Sequence, residues 1–170
     1  DQVQYFVVAQ DLAATPLVGI FPGSFAATPA SVNLDASAFP IGGTPASYAI
    51  VPVLAGGTYA VPGDYPSLTN AGGAFEAINN SVLAGSITLE IAADLTTETG
   101  AVALNQFAET GAGGYTLLIK PVGAARVISG SSATGLITLN GADRVTIDGS
   151  LSGGTDQSLT VTNTSTAGTV

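Results

Sequence analysis

Three apolar pairs that recur at one spacing constrain the fold of this chain more than any other feature. The pairs are Leu89/Ile91, Leu117/Ile119 and Val145/Ile147, and each starts 28 residues after the one before, at 89, 117 and 145. Because side chains two residues apart lie on the same face of a strand, each pair defines one inward face. A repeat of this length predicts a stacked β-solenoid in which Leu89, Leu117 and Val145 lie above one another.

The composition favours strands and turns and limits the binding partners. Only 9% of the residues are charged and 22 of 170 are Gly, which is typical of strands joined by tight turns. With 3 basic and 12 acidic residues, the net charge is -9. Because this charge repels phosphate groups, we expect no nucleic-acid partner. No apolar run reaches the roughly 18 residues of a transmembrane helix, so we also expect no membrane insertion.

The sequence contains neither His nor Cys. Ser-His-Asp and Cys-His catalysis within this chain are therefore excluded, as are the usual nitrogen and sulfur ligands of metals. Glycosidases that use carboxyl groups need two of them facing one bond, and the sequence has no Asp-Asp pair. Asp143, Arg144 and Asp148 are the nearest match in the sequence to such a catalytic pair of carboxyl groups. However, the two Asp residues flank a predicted strand, where Asp is typical of corner turns. We therefore predict no catalytic residue.

Asp148 and Asp156 are the candidates for calcium binding, because each lies in a Gly-rich turn that offers oxygen atoms. The Asp-x-Asp-x-Asp-Gly loop and the Gly-Gly-x-Gly-x-Asp repeat of known calcium sites are both missing from the sequence. We expect solvated turn residues and no cofactor, with calcium at these two positions as the alternative. Four further acidic residues are expected to provide solubility: Glu90, Asp94, Glu98 and Glu109.

The first 34 residues predict a hairpin, in which residues 3–9 and 17–21 are apolar strands separated by a polar turn. These two strands resemble the last two strands of an immunoglobulin-like or fibronectin type III domain. The resemblance implies that residues 1–34 are the C-terminal hairpin of such a domain, and a cap packed on the solenoid is the alternative. Residues 35–57 are rich in Pro and Gly and predict a linker, because proline cannot donate to a β-ladder.

Residues 58–170 are the predicted solenoid region, and we expect it to begin with a helix. Phe75, Ile78 and Val82 recur at helical spacing, which predicts one amphipathic helix over about 70–84. The preceding segment, Tyr59–Leu68, together with this helix resembles the entry to pectin-lyase-like right-handed parallel β-helices, where such a helix covers the open end. A helix with one apolar face would shield the unpaired backbone groups of a first rung.

The run Leu136–Gly149 carries the strongest family resemblance. Its sequence, LITLNGADRVTIDG, resembles a recurring rung of β-helical domains in large secreted or surface proteins of Bacteroidota-type bacteria. The implied fold class is all-β: a right-handed parallel β-helix with an N-terminal capping helix, preceded by the hairpin. Ser158–Asn163 begins one more strand with no cap after it, so we expect a fragment of a longer protein, truncated at its C-terminal end.

The resemblance implies a non-enzymatic structural or adhesive segment of a secreted or cell-surface bacterial protein. Proteins of this kind commonly leave the cell by type IX secretion and serve adhesion or gliding motility. The expected partners are a surface polysaccharide, another protein or the export machinery. Two alternatives stay open: the N-terminal part of a β-helical polysaccharide lyase or hydrolase with its catalytic rungs outside this sequence, and a carbohydrate-binding module. The sequence does not specify an oligomeric state.

Overall fold

The computed structural model describes residues 2–167 and divides into two compact units, Asp1–Ile50 and Val51–Val170. The three predicted ranges, 1–34, 35–57 and 58–170, remain predictions, and positions 168–170 of the last one lie outside the described residues. The predicted linker contains two strands, one in each unit.

The first unit contains two antiparallel strand pairs in its described part. Its strands are β1 (Gln2–Tyr5), β2 (Val7–Gln10), β3 (Val18–Phe21) and β4 (Ala46–Ala49). β1 pairs with β4, and β2 pairs with β3. The strand expected over residues 3–9 is therefore divided in two, and its first half has a partner from the predicted linker.

Little apolar surface is buried in the first unit. Among its described residues, the buried apolar side chains are Val18, Pro29 and Ala38. The β2–β3 ribbon has apolar residues on both faces, because Val7 is paired with Phe21 and the next pair along the ladder is also apolar. Val7 is 62% exposed and Phe21 78% exposed. One apolar face of the ribbon therefore lies in solvent.

The second unit is a parallel β-solenoid of about four turns. Its elements are β5 (Val53–Leu54), β6 (Gly57–Val61), α1 (Ala74–Asn79), β7 (Val82–Leu83), β8 (Ile87–Ile91), β9 (Leu95–Glu98), β10 (Leu104–Asn105), β11 (Ala108–Glu109), β12 (Leu117–Pro121), β13 (Arg126–Gly130), β14 (Leu139–Asn140), β15 (Val145–Ile147) and β16 (Leu159–Asn163). In the described residues they form four stacks, β6-β8-β12-β15, β9-β13-β16, β5-β7-β11 and β10-β14. All pairings between these strands are parallel. The predicted all-β solenoid is confirmed.

The register between the first two predicted rungs differs from the expected one by two residues. Leu117 pairs with Val145, as expected. On its other side, however, Leu117 pairs with Ile87, and it is Ile119 that pairs with Leu89. The prediction that Leu89, Leu117 and Val145 lie above one another is therefore wrong for Leu89.

The reason for this difference is a third inward position on each strand. The inward residues are Ile87, Leu89 and Ile91 on β8, and Leu117, Ile119 and Pro121 on β12. All six are buried, and the observed register pairs every one of them with a partner. Because the shift is two residues, the predicted inward face is correct although the pairing is not.

The helix is shorter than expected. α1 covers only Ala74–Asn79 of the predicted range 70–84, and it buries Phe75 and Ile78 in the core. Val82 lies instead in β7, where its backbone nitrogen donates to Pro52 O. A cap over the end of the solenoid stays a prediction for this helix. No helix in the described residues is long and apolar enough to cross a membrane.

Polar side chains at the corners bond neighbouring coils to each other. Asn70 Nδ2 donates to Thr97 O at 3.0 Å, and Asn70 Oδ1 accepts from Thr99 N at 2.8 Å. Asn163 bonds both backbone groups of Ser132, accepting from N at 3.1 Å and donating to O at 2.8 Å. Such hydrogen bonds satisfy backbone groups at the corners that have no partner in the strand ladders.

Candidate functional site

A polar depression lies beside the last coil. It is formed by the loop between β15 and β16 and by β16 itself, and its volume is about 530 Å³. Asp148, Asp156, Gln157 and Thr160 are among its lining residues. The structure therefore brings the two calcium candidates of the sequence to one place.

Asp148 is held at the start of this loop by the residue two positions on. Its Oδ1 accepts from Ser150 N and Ser150 Oγ, both at 2.8 Å. These two hydrogen bonds lower the pKa of Asp148 below its ordinary value, and the charge of Lys120 adds to the lowering. The charge of Asp156 opposes it, which is consistent with two carboxylates that share one depression.

Asp156 closes the other end of the loop. Its Oδ2 accepts from Ser158 Oγ at 2.6 Å and from Leu151 N at 3.0 Å, and these bonds lower its pKa. The backbone closes the loop as well, because Ser158 N donates to Gly149 O at 2.7 Å. The two carboxylates therefore shape the loop that forms the wall of the depression.

The depression is negatively charged at neutral pH, since both carboxyl groups titrate below the ordinary range. Its electrostatics favour a cation or a ligand with many hydroxyl groups over an anion. Within residues 2–167, no three His, Cys, Asp or Glu side chains lie together as a metal-ion group. Calcium at Asp148 and Asp156 stays a prediction that rests on two carboxylates.

Arg144 joins two coils rather than facing the depression. Its guanidinium donates to Asp143 Oδ2 and Glu109 Oε2, both at 2.8 Å, and to Tyr115 O at 2.9 Å. Burial tends to raise the pKa of Glu109, but hydrogen bonds from Gly114 N, Tyr115 N and Arg144 lower it overall. Of Asp143, Arg144 and Asp148, which the sequence placed near one another, only Asp148 lines the depression.

Glu98 is a buried carboxylate that the sequence analysis assigned to solubility. It is only 2% exposed, and its carboxylate accepts from Leu68 N at 2.9 Å, Thr69 N at 2.7 Å and Thr69 Oγ1 at 2.6 Å. The solubility prediction is therefore wrong for Glu98. Nothing local in the sequence indicates its burial, because its donors lie about 30 residues earlier in the chain.

A second surface feature belongs to the first unit. Val7, Ala9, Gly19, Ile20 and Phe21 line an apolar groove of about 460 Å³ on the β2–β3 ribbon. This groove is the exposed face described above, and its lining carries no charged side chain. It offers an apolar contact surface and no groups for chemistry.

Three Asn side chains follow one another on successive coils. Asn79 Nδ2 donates to Ala103 O at 2.8 Å, and Asn79 Oδ1 accepts from Asn105 N at 2.9 Å. Asn140 Nδ2 in turn donates to Asn105 Oδ1 at 2.9 Å, and the two residues are partners in the β10–β14 pairing. The side chains of Asn105 and Asn140 are exposed, so this ladder of amides lies on the outside of the solenoid.

Comparisons with known proteins return no match: no family model, no curated protein and no solved structure matches this chain. The fold alone defines the class of this protein. The chain is an all-β protein with a parallel β-solenoid of about four turns.

Proposed function

We propose that this chain is a non-enzymatic structural or adhesive segment of a large secreted or cell-surface protein. The observation that carries the proposal is the use of its basic side chains. All three basic residues of the sequence bond within the solenoid: Lys120 to Glu90 at 3.3 Å, Arg126 to Val122 O at 3.1 Å, and Arg144 to Glu109 and Asp143. Lys120 and Arg144 therefore join neighbouring coils, and Arg126 bonds within its own coil.

The last coil gives further support to a structural role. Its inward-facing residues Ile147 and Val161 are 44% and 37% exposed, whereas Val61 and Leu89 in earlier coils are fully buried. The last coil therefore offers apolar side chains and strand edges on which more β-structure can stack. A solenoid that extends by stacking is suited to spacing and display.

The family resemblance supports the finer parts of the proposal. On the residues of Tyr59–Leu68 and Leu136–Gly149, we propose a right-handed, pectin-lyase-like β-helix with a capping helix, located at the outer face of a bacterial cell. Type IX export and a part in adhesion or gliding follow from the same resemblance. The proposed partners are a surface polysaccharide, a surface protein or the export machinery, and the immunoglobulin-like origin of the hairpin belongs to the same proposal.

Carbohydrate binding is a second candidate function, and one observation favours it. The depression beside β16 has the size of a small-molecule site and is lined by side chains that bond hydroxyl groups, among them Asp156, Gln157 and Thr160. Binding there would serve adhesion without any reaction. It needs no cofactor, unless calcium bridges Asp148, Asp156 and the sugar.

An adhesion assay with product analysis tests the proposal. Beads coated with the full chain are passed over immobilised neutral and acidic glycans and over surface proteins, with and without calcium. We expect retention on at least one surface and no release of shorter saccharides. Release of cleaved products would contradict the non-enzymatic role, and no retention on any surface would contradict the adhesive one.

Two variants separate the depression from the rest of the surface. If a glycan is retained through the depression, Asp156→Asn and Thr160→Ala weaken retention, while Thr96→Ala at an exposed position of β9 leaves it unchanged. Equal loss in all three variants would show that retention does not depend on this depression.

A further inference from the structure

We propose that Asn140 is a self-modification site, at which the backbone nitrogen of Gly141 converts the side-chain amide into a carboxylate. This site is independent of the proposed function. The observations that carry it are the sequence around Asn140, the exposure and shape of the turn, and the amide contact between two coils.

The reaction needs only water as a co-reactant. The Gly141 nitrogen attacks Cγ of Asn140, a new C–N bond forms, and the bond from Cγ to the side-chain nitrogen breaks. That nitrogen leaves as ammonia and takes up the proton that the Gly141 nitrogen loses. Water then opens the resulting five-membered imide at either carbonyl and gives Asp or isoaspartate. The attack is intramolecular, so the reacting groups are already close together.

The residues at the turn of Asn140 are accessible, although the backbone of Gly141 also forms a bridge with Asn105. Asn140 is the only Asn in the sequence that is followed by Gly, and a Gly has no Cβ to obstruct the approach of its nitrogen. Both residues are exposed. Gly141 has φ +80°, and a Cβ built there would meet a single neighbour, Gln106 Cβ at 3.9 Å. Water therefore has access to the imide.

The other candidate positions lack one of these features. Asn105 and Asn163 are followed by Gln106 and Thr164, whose side chains hinder the approach of the following nitrogen. Asp148 precedes Gly149, but its carboxylate is ionised at neutral pH and is a poor electrophile. The chain thus contains its own reference positions for the reaction.

The modification would change the contact between two coils. Asn140 Nδ2 is the donor to Asn105 Oδ1, and a carboxylate at position 140 has only acceptor atoms. Two acceptors then face each other until the Asn105 amide rotates and presents its Nδ2. An isoaspartate would also lengthen the backbone by one carbon between β14 and β15. The modification therefore acts on the stacking of the third coil on the second.

Peptide mapping by mass spectrometry tests the inference on the full, folded chain. Samples are incubated at neutral and at alkaline pH, and circular dichroism monitors the fold. We expect Asp and isoaspartate to accumulate at position 140 before any other Asn, and faster at alkaline pH because the attacking nitrogen must lose its proton. The control Asn140→Gln keeps an amide but requires a larger ring, and we expect it to stay unmodified over the same period.

A synthetic peptide of residues 136–147 provides the reference for an unfolded site. If the peptide is converted while position 140 of the folded chain stays intact, the fold protects the site and the inference is overturned. Conversion of Asn105 or Asn163 at the same rate as Asn140 would overturn it as well, because the turn would then confer no selectivity.

Discussion

Glu98 has almost no contact with water, although few residues in this chain are charged. Its three hydrogen bonds fix Leu68 and Thr69 against β9 and so attach the first coil to the second. A buried carboxylate is tolerated only with such partners, since an isolated buried charge is very costly. Glu98 is therefore a structural residue, and the same holds for Asn70 and Arg144 at other corners.

Glu98→Ala should lower the free energy of unfolding by at least about 3 kcal/mol, because hydrogen bonds to charged groups contribute about 1.5–3 kcal/mol each and two buried N–H groups lose their acceptor. Glu98→Gln should cost less, since one oxygen still accepts. Urea unfolding followed by circular dichroism measures both. The exposed Thr96→Ala serves as the control, within about 0.5 kcal/mol of the parent chain. Equal values for Glu98→Ala and the control would contradict the structural role.

The lowered pKa values of Glu109, Asp148 and Asp156 predict the acid response of the chain. A carboxyl group with a lower pKa in the folded state stabilises the fold at a pH above its unfolded pKa of about 4. That stabilisation is lost as the pH falls through the folded pKa. We therefore expect the free energy of unfolding to be constant near neutral pH and to decrease below about pH 4.

Glu109→Gln isolates one of these groups. The difference in stability between the parent chain and this variant should be largest near neutral pH and should close in acid, because Glu109 is then protonated and its ion pair with Arg144 is lost. Urea titrations at a series of pH values measure the difference. A gap that widens as the pH falls would contradict the lowered pKa of Glu109.

At the scale of the elements, the strands determine the inward face and the pairing determines the register. The alternation along β8 and β12 is visible in the sequence, and it assigned Leu89, Ile91, Leu117 and Ile119 correctly to the buried face. The offset between the strands is 30 residues, from Ile87 to Leu117, where the repeat predicted 28. Both offsets place the same face inward, so only the third inward pair, Ile91 with Pro121, distinguishes them.

Engineered disulfides test this register, and the chain has no cysteine of its own to interfere. Thr88 and Leu118 are direct partners on the outward face, so we expect the double variant Thr88→Cys/Leu118→Cys to form a disulfide without distortion. Glu90→Cys/Leu118→Cys represents the register of the 28-residue repeat and should stay reduced under the same mild oxidation. Electrophoresis with and without reductant compares them. Preferential oxidation of the second pair would contradict the observed register.

At the scale of the whole molecule, the two units differ in how much apolar surface they bury. The second unit has a continuous core that includes Leu68, Phe75 and Ile119, whereas the buried apolar residues described in the first are Val18, Pro29 and Ala38. Because burial of apolar surface is the main stabilising contribution to folding, the first unit should open at lower cost.

Hydrogen exchange measured by mass spectrometry tests this difference on the intact chain. We expect the amides of β8 and β12 to be the most protected, because each strand is paired on both sides. The amides of β2 and β3 should exchange faster, and those of β15, which has one partner in the described chain, should lie between. Equal protection of β2, β3 and β8 would contradict the assignment of a weak first unit.

The sequence by itself determined the fold class and the inward faces, since both depend on residues two apart within one strand. The pairs at 89, 117 and 145 indicated a solenoid, and their side chains are where the alternation predicts. The sequence also indicated Asp148 and Asp156, because each lies in a Gly-rich segment typical of turns.

Only the tertiary structure decided the register, the length of the helix and the place of Glu98. Each depends on partners about 30 residues away: β8 against β12, Val82 against Pro52, and Glu98 against Leu68 and Thr69. The spacing of residues within a strand does not predict which distant backbone group each residue will bond, because the loops between strands vary in length. In a solenoid, the inward face of a strand can therefore be predicted from local sequence, whereas the contacts between coils cannot.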